Sequence, residues 1–180
     1  MIISQKTLIQ VVLLALLTLP LSTCTAKTAT TEQSQFSDPF AYCTAIGTID
    51  APDERYVGEA VPESIIKDLR EKAGVADDAP DDWIASGTTW RCMDGQVWAC
   101  FGGANLPCSE KADTSTTPQP EMEEFCAENP NADIIPAAVT GRATVYEWRC
   151  VDGIPQAGEQ IFEPDAQGFL SDFWYEIGPE

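Results

Sequence analysis

The sequence contains no histidine, and this absence excludes a large part of enzyme chemistry. Histidine is the most frequent general base in enzymes and a common zinc ligand. Every catalytic triad, dyad or metalloprotease site built on histidine is therefore excluded. Clustered cysteines can also bind zinc, but the sequence has no CxxC pair. We predict that the protein holds no metal and no cofactor.

Basic residues are scarce as well, with 10 Lys and Arg against 29 Asp and Glu and a net charge of −19. Nucleic acids and anionic lipids are poor electrostatic partners for such a chain, so we expect no nucleic-acid binding. The acidity is explained by solubility in a crowded compartment. It would also attract a basic partner or cations.

A membrane-spanning helix needs roughly 20 apolar residues. The apolar run at residues 7–21, TLIQVVLLALLTLPL, is shorter and is interrupted by Gln10 and Pro20. It follows Lys6 and contains no acidic residue, which is typical of a secretory signal. We therefore predict that this segment is absent from the mature protein; an uncleaved membrane anchor is the alternative.

The signal ends in Leu21, Ser22, Thr23 and Cys24, which resembles the lipobox of bacterial lipoproteins. That resemblance implies a signal peptide at residues 1–23, cleavage before Cys24, and a lipid on that cysteine. The protein would then be anchored to the cell membrane or outer membrane, facing the periplasm or the exterior. The alternative is cleavage after Ala26, which removes Cys24 and releases a soluble secreted or periplasmic protein.

Apart from Cys24, six cysteines remain under either cleavage, and an even number in an exported chain predicts a disulfide framework. Their pairing follows from an internal duplication: TWRCMDG at residues 89–95 and EWRCVDG at residues 147–153 share five of seven positions. Each is preceded by a cysteine next to an aromatic residue. Equivalent cysteines should pair equivalently, which predicts the bridges Cys43–Cys92, Cys126–Cys150 and Cys100–Cys108.

The duplicated WRCxDG motif resembles one in small uncharacterised exported bacterial proteins, and this resemblance implies no activity. Its Asp-Gly pair predicts a two-residue hairpin turn. In the first half this turn sets Cys92 opposite Val97 and Arg91 opposite Trp98. Because side chains alternate along a strand, Cys92 and Cys100 point to opposite faces and need different partners.

The predicted fold class is α+β, a small disulfide-stabilised domain of two pseudo-repeated halves, each a short helix plus a β-hairpin. The predicted organisation is a flexible tether (24–37), a first half (38–108), a linker (109–121) and a second half (122–180). We predict helices at residues 62–73 and 120–128. We predict strands at residues 88–92, 96–101, 142–150, 159–162 and 168–177.

Arg91 and Arg149 are candidate binding residues, because the chain has few basic residues and both halves retain one here. The structural interpretation is a cation–π contact of Arg91 with Trp98, or pairing of each arginine with the aspartate of its own turn. The functional interpretation is that each half offers one arginine to an anionic ligand.

Tryptophans are the second group of candidates. We expect Trp90 and Trp148 to pack on the disulfides. Trp98, Trp83 and Trp174 are candidates for stacking on a glycan or anchoring a protein partner, as exposed tryptophans do.

Carboxylates are the only remaining acid–base candidates, notably in the run VADDAPDDW. Two carboxylates across a cleft could hydrolyse a glycosidic bond, and carboxylate oxygens could bind Ca²⁺. The run lacks the spacing of an EF-hand loop, so we expect a solvated turn. Its acidic members are Asp77, Asp78, Asp81 and Asp82.

Taken together, these patterns favour a non-enzymatic binding or structural module of the cell envelope. One alternative is an inhibitor of a cationic hydrolase such as lysozyme, since small acidic disulfide-bonded envelope lipoproteins include such inhibitors. The other is a carboxylate-based glycan-processing enzyme.

Replacing Cys24 tests the anchor. We expect the wild-type protein to fractionate with membranes and Cys24→Ser to become soluble, because the lipid is attached through that thiol. Intact-mass spectrometry of both proteins measures the lipid directly. A soluble wild-type protein that begins after Ala26 would contradict the lipobox assignment.

Overall fold

The computed structural model describes residues 34–102 and 106–179, all within one compact unit. The predicted signal peptide and Cys24 lie outside the described residues. Within them the chain forms five α-helices, five strands and one 3₁₀ turn. None of the helices in this part of the chain is long and apolar enough to span a membrane.

The helices are α1 (Pro39–Ile46), α2 (Glu63–Lys72), α3 (Asp81–Gly87), α4 (Pro120–Glu128) and α5 (Ala137–Thr140). The strands are β1 (Thr88–Met93), β2 (Gln96–Phe101), β3 (Tyr146–Val151), β4 (Ile154–Gln160) and β5 (Tyr175–Ile177).

Helices α2 and α4 confirm the two predicted helices, whereas α1 and α3 are not among the predicted elements. Asp38 caps the N-terminus of helix α1, because its Oδ1 accepts a hydrogen bond from the N–H of Ala41 (2.7 Å). Pro39 occupies the first turn of the helix. Helix α3 takes up the end of the acidic run that was predicted to be a turn. Asp81 and Asp82 lie in its first turn, where carboxylates interact favourably with the helix dipole.

The first hairpin has the register predicted from its Asp-Gly turn. Cys92 lies opposite Val97 and Arg91 lies opposite Trp98. Asp94 and Gly95 both have positive φ angles (53° and 81°), as a type I′ turn requires.

Strand β5 adds antiparallel to β2 and completes a three-stranded sheet in the order β1-β2-β5. The strand predicted at residues 168–177 is therefore wrong over most of its length. Only Tyr175–Ile177 is a strand, because Ser171–Phe173 forms a 3₁₀ turn before it.

The second hairpin repeats the first around Asp152 and Gly153, whose φ angles are 52° and 80°. Strand β3 begins at Tyr146 rather than at residue 142, and β4 begins directly after the turn rather than at residue 159. Pro155 in β4 obscured that strand in the sequence, because proline is rare inside sheets. The described residues of this sheet form two strands.

The disulfides are Cys43–Cys92, Cys100–Cys108 and Cys126–Cys150, the three pairs that the duplication predicts. The first joins α1 to β1, and the third joins α4 to β3 in the same way. The structure is thus a small disulfide-stabilised α+β domain with two related halves.

The likeness of the halves extends to the backbone that follows each helix. In the first half, the N–H of Gly95 donates to the carbonyl of Gly47 (2.8 Å), and the N–H of Cys92 donates to the carbonyl of Ile49 (3.1 Å). These acceptors lie four and six residues after Cys43.

The second half repeats both bonds at the same spacing from Cys126. The N–H of Gly153 donates to the carbonyl of Pro130 (2.9 Å), and the N–H of Cys150 donates to the carbonyl of Ala132 (2.8 Å). Each hairpin is therefore held by one disulfide and by the chain that leaves its helix.

The hydrophobic core has separate clusters on the two faces of the first sheet, because side chains alternate between the faces as predicted. One face of the first sheet packs on α1 and α2, and Trp90 is buried there beside the Cys43–Cys92 bridge. The other face packs on Phe169 and Trp174 together with the Cys100–Cys108 bridge. The second half has its own core, which consists of Met122, Cys126, Ile135, Trp148 and Cys150.

The segment predicted to be a linker (109–121) makes backbone contacts with the second half. The N–H of Ala112 donates to the carbonyl of Gly168 (2.8 Å), and the N–H of Asp113 donates to that of Ala143 (2.7 Å). Asp113 also accepts a bond from the N–H of Val145 (3.0 Å). The middle of this segment is thus attached to the fold.

Removing single disulfides should destabilise the fold in the order of the loops they close. Cys43 and Cys92 are 49 residues apart and Cys100 and Cys108 are 8 apart, so chain entropy predicts losses of about 4 and about 2.5 kcal/mol. Urea unfolding of the two Cys→Ala double variants measures both. Equal losses would contradict the chain-entropy account.

Candidate functional site

Arg91 is buried completely, with an exposed side-chain fraction of 0%. Its Nη2 forms an ion pair with Asp165, and its Nη1 donates to Oε1 of Gln167 (2.9 Å). Its guanidinium lies 4.4 Å from the ring centre of Phe169 and 4.1 Å from that of Trp174. We call residues 163–177, which supply these partners, the closing segment.

The predicted partners of Arg91 are therefore wrong, because its cation–π contacts are with Phe169 and Trp174 rather than Trp98, and its carboxylate partner is Asp165 rather than Asp94. The reason is tertiary. The closing segment returns from the far end of the chain and covers the face of the first hairpin that carries Arg91, Trp98 and Cys100. We call this the closed face. Arg91 is consequently not accessible to an anionic ligand.

Asp165 is held as a carboxylate by hydrogen bonds. Burial raises its pKa, but the bonds from Arg91 and from the N–H groups of Phe169 (3.0 Å) and Gln167 (2.8 Å) outweigh burial. The pKa therefore lies below its ordinary value of 3.8. Asp165 is ionised at neutral pH and neutralises Arg91.

A second cation fastens the closing segment from outside. Nζ of Lys111 donates to Asp50 (2.6 Å) and to the carbonyl of Gln167 (2.6 Å), and it lies 3.7 Å from the ring centre of Phe169. Nε2 of Gln167 in turn donates to Asp50 (2.8 Å). These contacts join the first half, the connecting segment and the second half, and no sequence motif indicated them.

Arg149, which is equivalent to Arg91 in the duplication, lies in a different environment. The register pairs it with Gln156, and both side chains are exposed. We call the face of the second hairpin that carries Glu147, Arg149 and Gln156 the open face. Among the described residues, none places an aromatic ring or an ion-pairing carboxylate on Arg149 as the closing segment does on Arg91.

A hollow of about 420 Å³ lies at the open face. Glu147, Arg149, Asp133 and Glu159 line it, so the hollow has three carboxylate residues and one arginine. The structure therefore separates the two predicted arginines into one buried in the core and one at an acidic, accessible hollow.

A smaller apolar hollow of about 210 Å³ adjoins the first, because Glu147 and Trp148 border both. Ile134 and Ile161 also line it and are strongly exposed, at 68% and 47%. Sequence reasoning did not single out these isoleucines.

The three candidate tryptophans differ in exposure. Trp174 of the closing segment is buried against Arg91, and Trp98 on the closed face is partly buried in the same cluster. Trp83 is 51% exposed on α3. The ring centres of Trp83 and Phe101 lie 4.9 Å apart in a T-shaped arrangement. Trp83 alone among the three presents a large surface to a partner.

Arg70 orders the acidic run. It pairs with Asp81 through Nη2 (2.5 Å) and donates to the carbonyls of Ala76 (2.6 Å) and Ala79 (2.8 Å). Asp77 and Asp78 are exposed in a turn. Within residues 34–102 and 106–179, no group of three or more acidic or cysteine side chains is arranged to hold a metal ion.

Comparisons with protein-family models, with curated proteins and with solved structures found no match to this chain. Any functional inference therefore depends on the geometry described above.

Removing each arginine in turn should separate their roles. Arg91→Leu leaves Asp165 as an unpaired buried charge, so we expect a loss of about 3–5 kcal/mol in the free energy of unfolding. Arg149→Leu is the matched control and should change it by less than about 0.5 kcal/mol. Urea unfolding measures both, and similar losses would contradict the assignment of a closed and an open face.

Proposed function

We propose that this chain is a non-enzymatic binding module of the cell envelope, and that its open face binds a basic protein partner. The observation that carries the proposal is the asymmetry of the duplication. The closing segment covers the closed face, whereas the equivalent face of the second half, with Arg149, is exposed at a hollow. The second half therefore has an accessible surface at the position where the first half is covered.

Charge supports a basic partner. Asp133, Glu147 and Glu159 line the same hollow as Arg149, and the whole chain has a net charge of −19. An acidic surface of this kind speeds encounters with basic proteins and repels acidic ones.

The three disulfides indicate an oxidising compartment outside the cytoplasm. Within it, we propose that a lipid on Cys24 anchors the protein and that the residues after Cys24 hold the domain away from the membrane. The predicted tether (24–37) is shorter than expected at its end, because the backbone of Phe36 bonds to Arg55 and Val57. A soluble form cleaved after Ala26 is the alternative location.

Two of the carboxylates that could serve an enzyme have structural roles, because Asp81 is paired with Arg70 and Asp165 forms an ion pair with Arg91. Glu147 and Glu159 line the same hollow as Arg149. We take this mixture of charges as support for a binding surface rather than a catalytic one.

The acidic hollow also favours a more specific candidate, which is an inhibitor of a cationic hydrolase such as lysozyme. Such an inhibitor would place the open face on the basic surface of the enzyme. Lysozyme assays with stoichiometric protein test this candidate, and full activity in the presence of the protein would remove it.

Site-specific photo-crosslinking tests the proposed function. A photo-reactive phenylalanine analogue at Gln156 lies beside Arg149 on the open face, and the same analogue at Glu71 of α2 is the control position. We expect one discrete adduct from Gln156 in intact cells, none from Glu71, and loss of the adduct when Arg149→Ala is added. The adduct should contain a protein of basic isoelectric point, because the hollow is acidic.

Two results would contradict the proposal. Equal adducts from both positions would mean that the open face is not selective. An adduct with an acidic protein would mean that charge does not select the partner.

A further inference from the structure

Resting on the proposed function, we infer that the open face recognises a segment in which an aromatic side chain is flanked by basic ones. The aromatic ring stacks on the guanidinium of Arg149, and the basic groups pair with the carboxylates around it. The first half of the same molecule supplies the template for the stacking.

The template is the closed face. There the guanidinium of Arg91 lies over the rings of Phe169 and Trp174, 4.4 and 4.1 Å from their centres, and is buried completely. Arginine stacks on aromatic rings readily because its guanidinium is planar and weakly hydrated. The first copy of the motif thus contains an arginine, Arg91, that is stacked on aromatic rings.

The backbone places Arg149 as it places Arg91. Both arginines lie directly before the bridged cysteine and three residues before the Asp of the turn. The N–H of Cys150 donates to Ala132 as that of Cys92 donates to Ile49. The two arginine side chains therefore start from equivalent positions on equivalent faces of their hairpins.

The hollow has room for a ring. Its volume of about 420 Å³ lies within the range of about 300–1,000 Å³ that is usual for sites that bind small molecules. Ile154 extends the open face near the turn and is 61% exposed, which adds apolar surface for an aromatic residue.

The charges of the partner differ from those in the template. Asp165 neutralises Arg91 in the first half, whereas Glu147 and Glu159 line the same hollow as Arg149. A further carboxylate from a partner would be repelled by them, whereas lysine or arginine would be attracted. The segment that fits is therefore aromatic and basic rather than aromatic and acidic.

The segment binds on the face and does not extend the sheet. In the first half, β5 pairs with β2 through Val97 and Ala99. The residue equivalent to Val97 in β4 is Pro155, three positions after the Asp of its turn, and proline has no N–H to donate. The register also shifts where β4 passes Glu147. Both features oppose a third strand.

Binding of short capped peptides to the oxidised protein tests the inference. The probes are the pentapeptides GKWKG, GKAKG and GDWDG. Their binding is measured by NMR, from chemical-shift changes of the backbone amides and of the Arg149 Nε–H. We expect GKWKG to shift signals of residues 147–159 and to bind about fivefold or more tightly than GKAKG, which lacks the ring. GDWDG should bind more weakly than either basic peptide.

Variants separate stacking from charge. Arg149→Lys keeps the charge but removes the planar group, so we expect it to abolish the preference for GKWKG over GKAKG. Glu147→Gln with Glu159→Gln should weaken both basic peptides, and Glu71→Gln on α2 is the matched control. The unfolding free energy of each variant verifies that it is folded.

The outcomes decide between the ideas. Equal binding of GKWKG and GKAKG to the wild type would overturn the aromatic recognition, and tighter binding of GDWDG would overturn the basic flanks. Absence of any shift at residues 147–159, with the Gln156 adduct still formed in cells, would overturn this inference and leave the proposed function standing. Loss of both would remove both.

Discussion

The fold depends on the burial of one guanidinium. Removing a charged arginine from water is costly unless a counter-ion and hydrogen-bond acceptors replace the water. Asp165, Gln167 and two aromatic rings provide that replacement for Arg91, and all of them belong to the closing segment. The closing segment must therefore lie against the first sheet, and in that position its last residues become β5. Lys111 and Asp50 then fasten it from the solvent side.

The duplicated unit is used in two ways within one chain. Both copies share the helix-to-strand disulfide, the Asp-Gly turn and the backbone bonds that follow the helix. They differ in what covers the face that carries the arginine, which is the closed face in one copy and the open face in the other. They also differ at the free edge of the hairpin. Val97 accepts a third strand, whereas Pro155 lacks the donor that such a strand needs. The first copy is covered by the closing segment, and the second has an exposed face that we propose binds a partner.

Local chemistry made much of the fold predictable. The Asp-Gly turns specify positive φ angles in both hairpins, and in the first hairpin the turn determines the register. Apolar spacing and Pro62 specify α2, and the duplication specifies the disulfide pairs. The failures have local causes too. Helix α3 begins in an acidic run that resembles a solvated turn, and Pro155 obscured β4.

By itself, then, the sequence determined the first hairpin, the turn of the second, the disulfides, two helices and a short list of candidate residues that contained both arginines. Only the tertiary structure decided that Arg91 is buried and Arg149 exposed, since the two motifs are nearly identical. The partners of Arg91 are distant in sequence, with Asp165 74 residues away, and no periodic pattern marks them. Which copy of a repeated motif becomes core depends on where the rest of the chain returns, because burial is a property of the packed fold and not of the local sequence.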